Sequence, residues 1–384
     1  KTEDKPQARN VIYLIGDGMG MGAVTSLLLS EDNLTGFEMA PVIGLSETSS
    51  ANNHVTDSPA GGTALATGTR TKNGYLGVDP DGQQLTSILR KAQEMGKSTG
   101  IVVNTTLTEA TPAAFYAGVT SRSMTYDIAK QFTESQVDIA IGTGLEHFIN
   151  RPDSLDLTAV LIEKGYDVYL NWESVLNTTS DKFVGILPFA DVHRRDADKV
   201  TASAAEGHEV CLAAKMAAAS GESEASHVSE PEVYLEKATA KALDVLSRDN
   251  KDGFFLMAEG SHIDHGGHNN DMTYMLSELL AFDDAVQTVL EWAAGRDDTV
   301  VLVTADHETG GLELKESAYT ALNFMETVSN DGGMTYVPKH YAWTTTSHSA
   351  TDVNLYINGA NIDFRNYSFG VNGRIKNTDV FKIM

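Results

Sequence analysis

Short unbroken apolar runs recur along the chain, separated by longer stretches with one apolar stripe. The first run, Val11-Ile-Tyr-Leu-Ile15, has no polar interruption. That is the pattern of a strand covered on both faces of a parallel sheet. Further strand candidates fall at residues 42–48, 99–104, 137–141, 166–170, 183–187, 253–258, 299–304 and 353–357. Helical patterns lie between them at 83–95, 124–134, 155–164, 232–247 and 272–294. Buried strands alternating with helices predict an α/β fold, with a large central, mostly parallel sheet flanked by helices on both faces. Two stretches depart from this rhythm. Residues 194–230 shift to Ala, Ser, Glu and Gly, with one helical segment at 209–218, and residues 312–346 lose clear periodicity. Both read as surface insertions in one α/β domain spanning residues 1–384.

Charge narrows the range of partners. The 384 residues hold 53 acidic and 28 basic side chains, a formal net charge of -25. No basic stretch stands out against that field, which argues against nucleic acid or an anionic membrane as partner. The same acidity is a store of carboxylates for hard cations. A single cysteine, Cys211, excludes an intramolecular disulfide and a cysteine-based zinc cluster. No stretch reaches the ~20 apolar residues of a membrane span. Lys1 in place of an initiating Met suggests a processed start, and with it a periplasmic or secreted protein.

Chemistry-bearing residues collect where the apolar runs end. Asp17 follows the first run within Gly16-Asp-Gly-Met-Gly20. In open α/β sheets the carboxyl ends of strands are where ligands bind. Val55-Thr-Asp-Ser-Pro-Ala-Gly-Gly-Thr-Ala64 places Ser58 where an N-cap would stand, with Pro59 opening a helix. Its hydroxyl then meets the free N–H groups and positive dipole end of that helix. Thr111 follows the run at 99–104, and Arg122 offers a planar fork suited to an oxyanion. The densest cluster is Glu259-Gly-Ser-His-Ile-Asp264-His265-Gly-Gly-His268, where a helical turn would put Asp264 and His268 on one face. Gly266 and Gly267 weaken the case for a regular helix there. Asp306 and His307 follow the run at 299–304, and His348 precedes the last strand.

Three histidines, His268, His307 and His348, with Asp17, Asp264 and Asp306 suffice for two cations, and such mixed nitrogen and oxygen ligands suit zinc. Glu259, Thr111 and a shared Asp17 offer oxygen alone, which suits magnesium. Two metals about 4 Å apart clamp the attacking and leaving oxygens of an in-line displacement at phosphorus. Ser58 would then need no histidine base.

The segments Asp17-Gly-Met-Gly20, Val55 to Ala64, Ala110-Thr-Pro112, Ser121-Arg122, Glu259 to His268 and Thr304 to Gly311 together resemble the alkaline phosphatase family. The match runs from residue 11 to 357 in the family's order, and is most similar to short bacterial members, the cold-active marine ones included. The resemblance implies Ser58 as the nucleophile of a phosphoserine intermediate and Arg122 as the grip on two phosphoryl oxygens. It implies one zinc ion at Asp264, His268 and His348, a second at Asp306, His307 and Asp17 that also binds the Ser58 oxygen, and one magnesium ion at Asp17, Thr111 and Glu259. Asp57 would orient Arg122. Glu109 and His265 would stand beside the metals, at positions where relatives differ. The implied reaction is hydrolysis of small phosphate monoesters to alcohol and inorganic phosphate, with broad substrate range and an alkaline optimum, by a monomer or homodimer. His54, His147, His193, His262 and His340 receive no metal role. Competing readings are a phosphodiesterase, a sulfatase or a phosphosugar mutase of the same superfamily, and a non-catalytic metal- or phosphate-binding protein. The sulfatase pattern C/S-x-P-x-R is absent, since Pro59 directly follows Ser58. Arg122 favours monoesters over diesters, and Ser58 has no purpose in sequestration.

Overall fold

A computed structural model of the chain describes residues 8–31, 33–187, 234–315, 325–330, 333–338, 341–359 and 373–384. The strands in chain order begin β1 (Asn10–Gly16), β2 (Val42–Glu47), β3 (Ser98–Thr106), β4 (Ile139–Thr143), β5 (Asp167–Tyr169), β6 (Phe183–Ile186), β7 (Phe254–Gly260) and β8 (Thr299–Thr304). The short β9 (Glu308–Thr309), β10 (Leu312–Leu314), β11 (Met325–Asn330), β12 (Gly333–Pro338), β13 (Tyr341–Trp343) and β14 (His348–Ser349) follow, then β15 (Val353–Gly359) and β16 (Arg374–Lys376). Ten of them form one sheet in the order β16-β2-β15-β8-β1-β7-β3-β4-β6-β5. β15 runs antiparallel to both neighbours, β2 and β8, and the other pairings in that sheet are parallel. The expected large, mostly parallel sheet is what forms.

The apolar runs lack alternation because both faces are covered. Along β1, Ile12 and Leu14 pack into the core that holds Leu279, Phe282 and Val286 of the helix Met272–Ala293. Tyr13 and Ile15 point the other way, into a second core with Leu65, Phe115 and Phe255. There Tyr13 meets Phe115 edge-on at 6.1 Å, and Phe115 stacks on Phe255 at 5.9 Å.

Some element bounds differ from expectation. The helix expected over 83–95 is Ile88–Glu94, because the Ser87 side chain caps it by accepting from Arg90 N at 3.2 Å. Upstream, Leu85 N bonds to Gly77 O and Gln84 bridges Val78, so that stretch is held in a turn. The helix Met21–Ser30 was not expected; it starts at Gly20 with no side-chain cap, so the usual sequence signal is missing. The 194–230 insertion and its helix at 209–218 lie outside the described residues, as do His193, His208, His227, Cys211 and His340. The described parts of 312–346 form the pairs β10 with β13 and β11 with β12, neither joined to the ten-stranded sheet. Among the described residues no helix is long and apolar enough to cross a membrane.

Candidate active site

β1 lies between β7 and β8, with Ile15 opposite both Glu259 and Thr304. The loops leaving these three strands therefore emerge side by side at the carboxyl edge. Asp17 N bonds to Gly260 O at 3.2 Å, and Gly18 N bonds to Asp306 Oδ1 at 3.3 Å. This edge is where ligands bind in such sheets, and it gathers the acids expected from the sequence.

The histidines arrive from three places. The helix His262–His268 carries Asp264 and His268 on one face, with His268 Nε2 3.4 Å from Asp264 Oδ2. Its glycines are what close packing requires: a Cβ at Gly266 would lie 2.6 Å from Met275 N, and one at Gly267 2.9 Å from Thr309 O. The helix doubted from the sequence thus forms because Gly266 and Gly267 let its neighbours approach. His348 comes in on β14, which pairs with β9 just after His307.

Hydrogen bonds at the far side of two of these rings fix their tautomers. His268 Nδ1 meets Thr346 O at 2.7 Å, and His348 Nδ1 meets Thr56 O at 2.9 Å. A carbonyl can only accept, so each Nδ1 carries a proton and each ring turns its Nε2 inward, where it can serve as a ligand. Those two nitrogens stand 3.2 Å apart, with Asp264 Oδ1 3.7 Å from that of His348. Two ring nitrogens and a carboxylate facing one another call for a cation. His307 Nε2 is likewise 3.3 Å from Asp306 Oδ2 and 3.6 Å from Asp17 Oδ1. Asp264, His307 and His348 form one group with metal-ligand spacing, and Asp17, Asp306 and His307 another.

Electrostatics leads to the same conclusion. Glu259, Asp306 and His307 are wholly buried, and Asp17 is nearly so. Burial first, then the Asp306 charge, pushes Asp17 and Glu259 well above the usual carboxylate range. Burial and the Asp264 charge raise Asp306. Burial, with His348 and His268 nearby, draws His307 well below the usual imidazole value. Unlike a core polar group, several of these atoms have no hydrogen bond of normal geometry: Asp17 Oδ1, Asp306 Oδ2, both Glu259 carboxylate oxygens and Thr111 Oγ1, with only the Ser261 and Thr111 hydroxyls near Glu259. Buried carboxylates without partners are costly unless a cation neutralises them. The donor chemistry fits zinc at the nitrogen-bearing groups and a hard ion beside Glu259 and Thr111.

Ser58 Oγ lies 3.2 Å from His307 Nε2. One detail of the expected local structure is corrected. Asp57, not Ser58, caps the helix Ser58–Thr67, its Oδ1 accepting from Ala60 N at 3.1 Å. Ser58 is the first helical residue, since the aspartate is the better-placed acceptor for the orphan N–H groups. The other Asp57 oxygen accepts from Gly74 N at 2.6 Å. The Arg122 guanidinium bonds to Glu109 in place of the expected Asp57. His265 is exposed and meets His262, Nδ1 to Nδ1, at 3.0 Å. His262 is held by Asn104 O at 2.9 Å, and His147 bonds to Thr108. Sequence reasoning passed over Thr309, whose hydroxyl lies 2.5 Å from Asp264 Oδ1 and 3.2 Å from His307 Nδ1. Its place two residues after His307 was the available signal.

The family model described as alkaline phosphatase matches residues 8–342. Alkaline phosphatase 4 of Bacillus subtilis (strain 168) is 33% identical over 333 residues, covering 82% of this chain and 64% of that protein. The chain thus spans just under two thirds of that relative's length. A variant of the TAB5 alkaline phosphatase, from an Antarctic bacterium and with Mg bound, has a TM-score of 0.76 at 29% identity, covering 99% of this chain and 97% of the other. The cold-active alkaline phosphatase of a psychrophilic Shewanella gives a TM-score of 0.73 at 25% identity, covering 97% and 98%. With a family match over most of its length, reaching from β1 past the Asp306-His307 pair, the chain belongs to the alkaline phosphatase family.

Proposed function

We propose that this protein hydrolyses small phosphate monoesters to an alcohol and inorganic phosphate through a phosphoserine on Ser58. The observation that carries the reading is the facing pair of Nε2 atoms on His268 and His348, set beside Asp264 and within the family's fold. Zinc ions at Asp264, His268 and His348 and at Asp17, Asp306 and His307, with magnesium at Asp17, Thr111 and Glu259, would supply Lewis acidity to the attacking and leaving oxygens.

The protein's own residues do the rest. Ser58 gives up its proton to solvent, and its Oγ forms a bond to phosphorus as the ester P–O bond breaks and the departing alkoxide takes a proton from water to leave as the alcohol. A water oxygen then bonds to phosphorus as the Ser58 O–P bond breaks, a proton returns to Ser58 Oγ, and inorganic phosphate is released. Ser58 opens a ten-residue helix, so the positive end of that helix faces the phosphoryl charge. Arg122 would hold two non-bridging oxygens with its fork once a phosphoryl dianion draws it from Glu109. Asp57 keeps the start of the helix in place through Ala60 and Gly74. Broad substrate range follows from a site that grips only the phosphoryl group, and an alkaline optimum from the need for a deprotonated Ser58. Export from the cytoplasm and a monomer or homodimer belong to this reading, and fractionation and sedimentation would check them.

Turnover of a chromogenic phosphate monoester and its matching diester at pH 7 to 10 tests the reading, before and after chelation and with zinc and magnesium restored. Monoester turnover that chelation removes and the two ions restore is expected. Diester preference would move the protein to a diesterase function, and retained zinc without turnover would make it a binding protein.

A further inference from the structure

His268 and His348 take their tautomers from main-chain carbonyls; the His307 ring has the Glu308 carbonyl beside it, and its Nδ1 also faces the Thr309 hydroxyl at 3.2 Å. We propose that Thr309 is a positioning residue that fixes His307 with its Nε2 lone pair toward Asp17, Asp306 and Ser58, and links that group to Asp264. Hydrogen-bond direction gives the argument. An ionised carboxylate only accepts, so at 2.5 Å the Thr309 hydroxyl donates to Asp264 Oδ1. Its single proton is then committed, and toward His307 its oxygen can only accept. Nδ1 must therefore carry the ring proton and Nε2 the lone pair. One hydroxyl thus supports the proton position on a ligand of one group while it holds a carboxylate of the other.

The rest of Thr309 is anchored to the same ends. It is buried, its N bonds to Gly18 O at 3.2 Å beside Asp17, and it pairs with His348 across β9 and β14. It also packs against the helix carrying Asp264 and His268, where a Cβ at Gly267 would meet it. One residue, through its main chain and its side chain, therefore contacts each segment that brings in the two acid and histidine groups.

The inference rests on the proposed metal site, so its test separates the two. Zinc affinity would be measured by competition with a chromophoric chelator for the full chain, Thr309→Val and Thr309→Ser. Valine keeps the shape without the hydroxyl, and removing the partner of a metal-binding histidine costs about 10–100-fold in metal affinity. Thr309→Val is expected to lose affinity in that range for both zinc equivalents, and Thr309→Ser to stay within about threefold of the parent. Thr309→Val binding as tightly as the parent would overturn the role of Thr309 and leave the metal reading standing. A parent chain that binds no zinc would overturn the metal reading instead. The 15N shifts of the imidazole of His307 in the chelated parent, which need no variant, read the tautomer directly. A proton on Nδ1 is expected, and one on Nε2 overturns the inference whatever the zinc titration gives.

Discussion

Ser58 Oγ stands 3.2 Å from His307 Nε2, the nitrogen that also faces Asp306 and Asp17. The hydroxyl therefore belongs to the group of atoms proposed to hold a metal and is not a helix cap. Ser58→Ala is expected to lower phosphate monoester turnover by at least about 10³-fold, the scale of losing a nucleophile. Zinc content should not change, because the aspartates and histidines remain. Turnover and zinc equivalents measured on one preparation check this. A variant that kept full turnover would remove the serine from the mechanism.

Arg122 and Glu109 are paired, and the arginine side chain keeps 42% of its surface exposed. A phosphoryl group must compete with Glu109 for the guanidinium. Charge-assisted hydrogen bonds contribute about 1.5–3 kcal/mol each; with two made to phosphate and the one to Glu109 given up, the net is about one bond, so Arg122→Ala should weaken inhibition by inorganic phosphate by about 10–150-fold. Arg122→Lys should fall between the two, since it keeps the charge and loses the fork. Glu109→Gln removes the competitor, and phosphate should then inhibit about tenfold more strongly. If Glu109→Gln weakened inhibition instead, the carboxylate would be supporting phosphate and not opposing it.

The uninterrupted apolar runs made the sheet legible, because strands covered on both faces leave no room for polar positions. The ligand types were legible for a related reason: Asp17, Asp306 and His307 directly follow such runs. Arg122 pairing with Glu109 was not, since it depends on how two loops fold beside each other. Nor was the capping role of Asp57, which a neighbouring serine can fill equally well by composition. Thr309 stood inside a quoted motif, yet its role depends on Asp264, 45 residues away in sequence. The helix Met21–Ser30 has no capping side chain to announce it.

Gly18 has φ +70, and a Cβ there would lie 2.7 Å from the Cα of Asp264. Gly18→Ala meets both a disfavoured backbone and a main-chain clash. The left-handed conformation alone should destabilise the chain by about 1–3 kcal/mol. The clash should further separate Asp17 from Asp264 and weaken zinc binding. Urea midpoints of loaded and chelated protein measure the two effects apart: the chelated midpoint reports the backbone, and the gap between midpoints reports the metal. An unchanged gap would mean that the Asp17 loop can shift without disturbing the site.

Metal removal should reverse the pH trend of stability. Asp17, Glu259 and Asp306 all have raised values in the folded chain, through burial and then neighbouring carboxylates. A raised carboxyl holds its proton more tightly when folded than unfolded. Its contribution is thus full below the unfolded value of about 4 and is lost as pH rises through the folded value, which for Asp306 is about 7. His307, lowered by burial, acts the other way, since stability falls as pH drops below its unfolded value of about 6.5. Three carboxyls against one imidazole leave a net loss as pH rises. Asp283, raised to about 6 by burial, adds the same sign but lies in the helix Met272–Ala293 away from the proposed ligands, so it affects both forms alike. The thermal midpoint of the chelated chain should therefore fall from pH 5 to pH 8. The chain loaded with zinc and magnesium should hold or gain over that interval, because metal binding requires deprotonated ligands. Parallel curves for the two forms would show that the buried carboxylates are neutralised by something other than a metal ion.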